Sequence, residues 1–68
     1  ETLTLTWPGD AGTLNSVQVF DLSGRALPLE KRLSGQVLEL DLRGYEPGVY
    51  FLVCTSSKGS YSSRFIKL

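Results

Sequence analysis

Short runs of strand-forming residues, separated by turn residues at intervals of about 8–12 positions, constrain this chain more than any other feature. Thr2 to Trp7 alternates polar and apolar residues without a break, which is typical of a half-buried strand. Val17 to Leu22 carries apolar residues on both faces, which favours a central place in a sheet. No segment has convincing helical periodicity. The sequence therefore predicts an all-β fold, a small antiparallel β-sandwich of about six to seven short strands.

The first predicted hairpin turns at Ser23-Gly24. Gly24 tolerates a positive φ without steric cost, and a two-residue turn there pairs Phe20 with Leu27 across the strands. Asp21 stands just before the turn, where its carboxylate is suited to accept hydrogen bonds from the turn amides.

Three further positions carry turn or edge predictions. Pro28 lies in the returning strand, Arg25 to Leu33, and places that strand at an edge or a bulge because proline cannot donate to a ladder. Pro47-Gly48 fits the centre of a type II turn that launches the next strand. Gly59 is the predicted left-handed residue in the loop of the last hairpin.

Length and charge exclude several classes of function. The chain has 68 residues, so residues 1–68 form a single domain, expected to be a module excised from the end of a larger protein. Seven basic residues balance seven acidic ones without a cluster of either sign, which argues against a nucleic-acid partner. There is no polybasic patch and no apolar run of spanning length, so membrane insertion is not expected.

The residues that could carry chemistry favour a protein without catalytic activity. Histidine is absent, which removes the commonest general base and metal ligand, and no metal or cofactor site is expected. Glu39 and Asp41 form one close carboxylate pair, but the alternating leucines around them place the pair on the solvated face. Cys54 lies alone in an apolar run and is interpreted as a core residue.

Aromatic residues leave a second function open. Trp7, Tyr45 and Tyr61 each lie near a strand end or a turn, where an exposed planar set could bind sugars. The alternative is that these rings cover the ends of a small core, where aromatic side chains bury a large area. A carbohydrate-binding or adhesive module would need the rings exposed.

Three blocks of sequence resemble one family. Residues 17–25, with Asp21, Gly24 and Arg25, resemble the V-x-V/I-Y/F-D-x-x-G-R/K segment of type A C-terminal sorting domains of the type IX (Por) secretion system of Bacteroidetes. Residues 47–52 are similar to the s/p-G-v-Y-f-l strand of that family, and residues 64–67 to its final K/R-F-I/V-K. The three blocks occur in the family's order and spacing. The family's upstream Asn-Pro motif is missing from this chain.

The resemblance implies an Ig-like β-sandwich that acts as a secretion signal. Such domains direct an upstream cargo protein through the periplasm and across the outer membrane to a secreted or cell-surface location. An outer-membrane shuttle receives the domain, and a sortase-like peptidase removes it in many species. The domain itself has no catalytic activity. The resemblance points to seven residues for partner recognition: Gly48, Tyr50, Arg64, Phe65, Ile66, Lys67 and Leu68. Of these, Gly48 and Tyr50 match family positions but are interpreted mainly as turn and packing residues.

Several hypotheses about recognition follow. The last strand would offer an extended edge that a partner reads by strand addition, with Phe65 as its anchor in the core and Lys67 as a charge at a fixed place. The simpler interpretation is that Arg64 and Lys67 are solvated strand charges. Self-association through an open strand edge is a further possibility. A structural spacer is the third class of function.

Overall fold

The computed structural model describes residues 1–68, which form seven β-strands and one short 3-10 helix. The helix, Gly9–Ala11, follows the first strand. The strands are β1 (Thr2–Thr6), β2 (Leu14–Phe20), β3 (Ala26–Leu27), β4 (Glu30–Ser34), β5 (Val37–Asp41), β6 (Gly48–Ser56) and β7 (Gly59–Lys67). The all-β class and the predicted number of strands are confirmed. No helix of the chain has the length and apolar character to cross a membrane.

The strands form two antiparallel sheets. One has the order β1-β5-β4 and the other β3-β2-β6-β7. Each hairpin stays within one sheet, and the chain crosses to the other sheet after β1, after β3 and after β5. The central position predicted for the second strand is confirmed, since β2 lies between β3 and β6.

The core lies between the sheets and is built from one face of each central strand. Because side chains alternate across a strand, every second residue of β2, β5 and β6 points inward. Val19 and Leu40 are fully buried, and Cys54 is 5 % exposed, so it packs as a core residue. The core cluster consists of Val17, Val19, Leu38, Leu40, Leu42, Tyr50, Leu52 and Cys54.

The first hairpin has a three-residue loop, so the predicted two-residue turn at Ser23-Gly24 is wrong. Phe20 pairs with Ala26, and Leu27 pairs with Val19. The Asp21 N–H donates to the Arg25 carbonyl and closes the loop. The loop closes because Gly24 has a φ of 86°, and a left-handed residue is what completes a three-residue hairpin loop.

The segment predicted as one strand from Arg25 to Leu33 is two strands in different sheets. β3 ends at Leu27 and β4 begins at Glu30, with Pro28 between them. Each is an edge strand of its sheet, as the proline predicted. Because proline cannot donate to a ladder, the chain leaves the four-stranded sheet at this residue and crosses to the three-stranded sheet.

The turn before β6 lies upstream of its predicted position at Pro47-Gly48. The Tyr45 N–H donates to the Leu42 carbonyl, and Gly44 has a φ of 89°, as the third residue of a type II turn requires. Gly48 is instead the first residue of β6, with a φ of 157°, and it pairs with Lys67.

The last hairpin turns through two residues. Ser56 pairs with Gly59, which leaves a loop of only Ser57 and Lys58. Gly59 has a positive φ, 138°, but it lies within β7 and is not the left-handed residue of the loop. The pairing then runs without a bulge to Gly48 and Lys67.

Candidate functional site

The β6–β7 hairpin divides the seven predicted recognition residues between its two faces. Directly paired residues share a face, so the register assigns each one. Gly48, Tyr50, Phe65 and Lys67 lie on the inner face, which covers the core. Arg64 and Ile66 lie on the outer face, and Leu68 follows the end of β7.

Tyr50 and Phe65 are packing residues. Tyr50 is 7 % exposed, and its ring stacks on that of Phe65 with centroids 5.6 Å apart and planes at 25°. Its hydroxyl donates to the Glu46 carbonyl. The ring centroid of Tyr45 lies 5.2 Å from that of Tyr50. This aromatic row fixes β7 to the core, and it leaves the Tyr50 side chain inaccessible to a partner.

The Lys67 side chain reaches back into the molecule. Only 13 % of it is exposed. Its ammonium donates to the Leu42 carbonyl at 2.9 Å and to the Tyr45 carbonyl at 2.5 Å. A Glu1 carboxylate oxygen lies 4.0 Å away. Gly48, opposite Lys67, adds no side chain to this corner. The ammonium thus satisfies two turn carbonyls, and its charge is directed inward.

The residues that a partner can reach are on the outer face of β7 and beyond its end. Ile66 is 63 % exposed and Leu68 is 97 % exposed. Arg64 is exposed and pairs with Phe51, itself 38 % exposed. Arg64 forms no ion pair, whereas each of the other three arginines does. The outer end of β7 therefore presents a free cation beside apolar side chains.

The Asp21 carboxylate organises the first hairpin loop, as predicted. One oxygen accepts hydrogen bonds from the Ser23 N–H at 2.9 Å, the Ser23 hydroxyl at 2.6 Å and the Arg25 N–H at 3.0 Å. These hydrogen bonds hold the pKa of Asp21 below its usual range, and the one from the Ser23 hydroxyl has the largest effect. The other oxygen lies 3.3 Å from the Arg25 guanidinium. The D-x-x-G-R segment is thus a self-capped loop.

Two of the three sequence blocks meet in space. The Asp21–Arg25 loop and the segment from Arg43 to Tyr50 line one open groove of about 710 Å³. Leu27 and Tyr45 contribute to its wall, and the Tyr45 hydroxyl donates to the Pro28 carbonyl at 2.7 Å. Pro47 is exposed on the rim. This convergence leaves no pattern in the sequence, because the two blocks lie about twenty residues apart and belong to separate hairpins.

The three aromatic candidates for sugar binding do not form a platform. Trp7 is half-buried, its indole N–H donates to the Gly12 carbonyl at 2.9 Å, and its ring meets Tyr61 edge-on at 88°. Tyr45 is half-buried in the aromatic row. Tyr61 is the exposed member, at 44 %. A sugar ring stacks on a flat exposed face, and this set does not present one.

The carboxylates of Glu39 and Asp41 are paired with arginines, and the thiol of Cys54 is buried. Glu39 accepts hydrogen bonds from Arg32 across the β4–β5 pair, and Asp41 accepts from Arg43. Hydrogen bonds from Arg43 lower the pKa of Asp41 to about 2. Burial raises the pKa of the Cys54 thiol. No group of three histidine, cysteine, aspartate or glutamate residues is placed to hold a metal ion.

Two packed antiparallel sheets with a self-capped loop, an inward lysine and an open strand edge define a small all-β module of the sandwich class. Residues 1–68 match the family described as Secretion system C-terminal sorting domain. Because the match covers the whole chain, the chain belongs to this family of type IX secretion sorting domains, which is not a family of enzymes. Membership implies a secreted or cell-surface protein that interacts with the type IX machinery. The chain matches no curated protein and no solved structure.

Proposed function

We propose that residues 1–68 form the signal by which a preceding cargo domain is carried from the periplasm across the outer membrane by the type IX system. The family match over the whole chain carries this proposal. On this proposal the outer-membrane shuttle receives the domain and the sortase-like peptidase removes it. The cargo is then released or attached at the cell surface.

The arrangement of β7 separates residues that anchor the strand from residues that a partner can contact. Phe65 and Lys67 fasten the strand to the core and to the Leu42–Tyr45 turn. Arg64, Ile66 and Leu68 remain exposed. The exposed side chains are therefore the ones proposed to contact the machinery, while their inward neighbours hold them in place.

The direct test fuses residues 1–68 behind a signal peptide and a fluorescent reporter in a bacterium with a working type IX system. Reporter at the cell surface or in the medium, absent from a strain lacking the translocon, is the expected result. Reporter retained in the periplasm of both strains, with the domain folded, means either that the upstream Asn-Pro motif is required or that the proposal is wrong; retention that persists with the motif added contradicts the proposal. A second fusion with the family's upstream Asn-Pro motif restored then shows whether that motif is required.

A paired substitution tests the recognition residues without disturbing the inward contacts. The double variant Arg64→Ala, Ile66→Ala is expected to reduce export, because it removes exposed side chains only. The control is Lys31→Ala, Leu33→Ala on the edge strand β4; both residues are exposed but pair with the buried Leu40 and Leu38, so the folding of this variant is checked by urea unfolding. Equal export of the two double variants would refute the assignment to β7. Deletion of Lys67 and Leu68 is a poorer test, because it also removes the hydrogen bonds to Leu42 and Tyr45.

A further inference from the structure

Of the four strand edges in the sandwich, only that of β7 is long and open. β3 has two residues and is followed by Pro28. β1 and β4 have five residues each, and β4 begins with Glu-Lys-Arg. β7 has nine residues, without a proline or a bulge. Proteins usually shorten, charge or cover such edges because unpaired backbone groups attract other strands. The edge of β7 is the longest of the four and carries a single outward charge, that of Arg64.

The register of the last hairpin shows which backbone groups are unpaired. Ser56 and Gly59 flank a two-residue loop, so they form a hydrogen-bonded pair, and alternate pairs along the ladder repeat this pattern. The odd-numbered residues of β7 therefore bond to β6. The N–H and C=O groups of the even-numbered residues point away from the sheet: Ser60, Ser62, Arg64 and Ile66.

The side chains of these same residues lie on the outer face of the sheet. Arg64 has no acidic partner, and Ile66 is 63 % exposed. Their neighbours across the ladder are Phe51 and Val49, so the surface beside the free edge is apolar around one cation. Ser60 and Ser62 are small and allow close approach of another backbone. The edge and the outer face form one continuous surface.

We propose that the free edge of β7 is where the receptor of the secretion machinery binds, by adding an extended segment of its own as a fifth strand. Backbone hydrogen bonds to Ser60, Ser62, Arg64 and Ile66 provide the attachment. A carboxylate of the added strand pairs with Arg64, and an apolar side chain covers Ile66. This inference rests on the proposed function and names the surface and the partner chemistry through which it acts.

Proline substitution at two matched edge positions tests the backbone contact. Ser62→Pro removes an N–H that points to solvent, which proline tolerates at a sheet edge. Thr4→Pro is the control on β1. There the Trp7 N–H donates to the Gln36 carbonyl and the Leu42 N–H donates to the Glu1 carbonyl. By the register of β1 and β5, the backbone groups of the odd-numbered β1 residues therefore bond to β5, and the N–H of Thr4 points to solvent. Each variant thus removes one outward donor from one edge.

Export of the reporter fusion is the readout, with urea unfolding of each purified domain alongside it. Export of Ser62→Pro is expected to fall at least about ten-fold, as for a binding free energy weakened by about 1.4 kcal/mol, while Thr4→Pro stays within about two-fold of wild type. Equal export of the two folded variants overturns the inference and leaves the proposed function standing. Failure of the wild-type fusion in the translocon-competent strain overturns both.

A charge reversal keeps the inference testable if either proline variant unfolds. Arg64→Glu is expected to reduce export about ten-fold, because it would place a carboxylate against the carboxylate of the added strand. Lys31→Glu, an equal change of charge on the exposed edge of β4, is the control and is expected to change export less than about two-fold. Similar export of the two variants contradicts the pairing with Arg64.

Sedimentation of the purified domain distinguishes a second copy of this chain as the occupant of the edge. The domain is expected to sediment as a monomer. A dimer that Ser62→Pro dissociates, without any loss of export, would assign the edge to self-association and overturn the inference. A monomer whose export depends on Ser62 supports it.

Discussion

The Lys67 ammonium and the Leu42 carbonyl are joined by a hydrogen bond of 2.9 Å that ties β7 to the turn following β5. The backbone N–H of the same Leu42 donates to the Glu1 carbonyl at 2.9 Å. One residue thus connects positions 1 and 67. In a sorting domain this links the strand proposed to be read by the machinery to the end of the sandwich at which a cargo would join.

Loss of the lysine bonds should destabilise the domain measurably. Lys67→Met keeps the aliphatic stem but leaves the Leu42 and Tyr45 carbonyls without their charged donor. We expect the free energy of unfolding in urea to fall by about 2 kcal/mol, within the range for hydrogen bonds to charged groups. Lys31→Met, at an exposed residue without an ion pair, should stay within about 0.5 kcal/mol of wild type. Equal losses would show that the bonds contribute nothing.

Acid should weaken the fold in a defined window of pH. Hydrogen bonds from Arg43 lower the pKa of Asp41 to about 2, and those from Ser23 and Arg25 lower the pKa of Asp21. A carboxyl whose pKa is depressed in the folded state contributes stability above its ordinary pKa of about 3.9 and loses it as the pH falls through the folded value. We expect the unfolding free energy to decline between about pH 4 and pH 2.

The same decline should be smaller in a variant that lacks one of these carboxylates. Asp41→Asn removes the titrating group, so its stability should change less over this window, although it is lower than wild type at pH 7. Asp10→Asn, which also removes one carboxylate, at an exposed position without an ion pair, is the charge-matched control. Parallel curves for wild type and Asp41→Asn would contradict the attribution to Arg43.

Because the domain is small, its free energy of unfolding is small, and the loss of one core side chain should unfold it. Leu40 is fully buried in β5, and Leu40→Ala should cost about 2–5 kcal/mol. A domain of this length has roughly 3–5 kcal/mol in total, so the variant should be largely unfolded at 25 °C. Circular dichroism and amide proton dispersion would detect this. Leu22→Ala, at a leucine that is 71 % exposed, should remain folded.

The sequence predicted what depends on local alternation. The leucines at positions 38, 40 and 42 face one side because strand side chains repeat with a period of two, and the structure buries all three. The same period separates the outward Arg64 and Ile66 from the inward Phe65. Asp21 was predictable as a loop cap because its acceptor lies next to the amides that it binds.

The features that could not be predicted from the sequence depend on contacts between distant residues or on small differences in free energy. A two-residue loop and a three-residue loop can both place a glycine at position 24, and they differ by one residue in how the strands pair. The sequence therefore did not decide the register of this hairpin. Pro28 predicted an edge but not a crossing between sheets. The contact of Lys67 with Leu42 spans 25 residues and joins a side chain to a carbonyl, which leaves no periodic signal.

The contact between the loop after the 3-10 helix and the last hairpin can be tested with two glycines of nearly equal φ. Gly12 has a φ of 87° with a ψ of −177°, a region that almost only glycine occupies, whereas Gly24, with a φ of 86°, is the left-handed residue of its hairpin loop, so alanine is strained at both positions and more strongly at Gly12. A Cβ at Gly12 would lie 2.5 Å from the Ser57 hydroxyl oxygen, whereas a Cβ at Gly24 meets nothing within 4 Å. The two variants therefore differ in the steric clash and in the backbone strain, and both differences make Gly12→Ala the costlier one.

That clash would also disturb a hydrogen bond, since the Ser57 hydroxyl accepts from the Thr13 N–H at 3.0 Å. We expect Gly12→Ala to lower the unfolding free energy by about 1–3 kcal/mol more than Gly24→Ala does, because the tight contact and the backbone strain both disfavour it. Urea titrations of both variants, with the Thr13 amide followed by hydrogen exchange, measure the difference. Equal losses of unfolding free energy, with the Thr13 amide still protected in Gly12→Ala, would show that the last hairpin moves aside without loss of stability. The contact would then not fix the position of the hairpin.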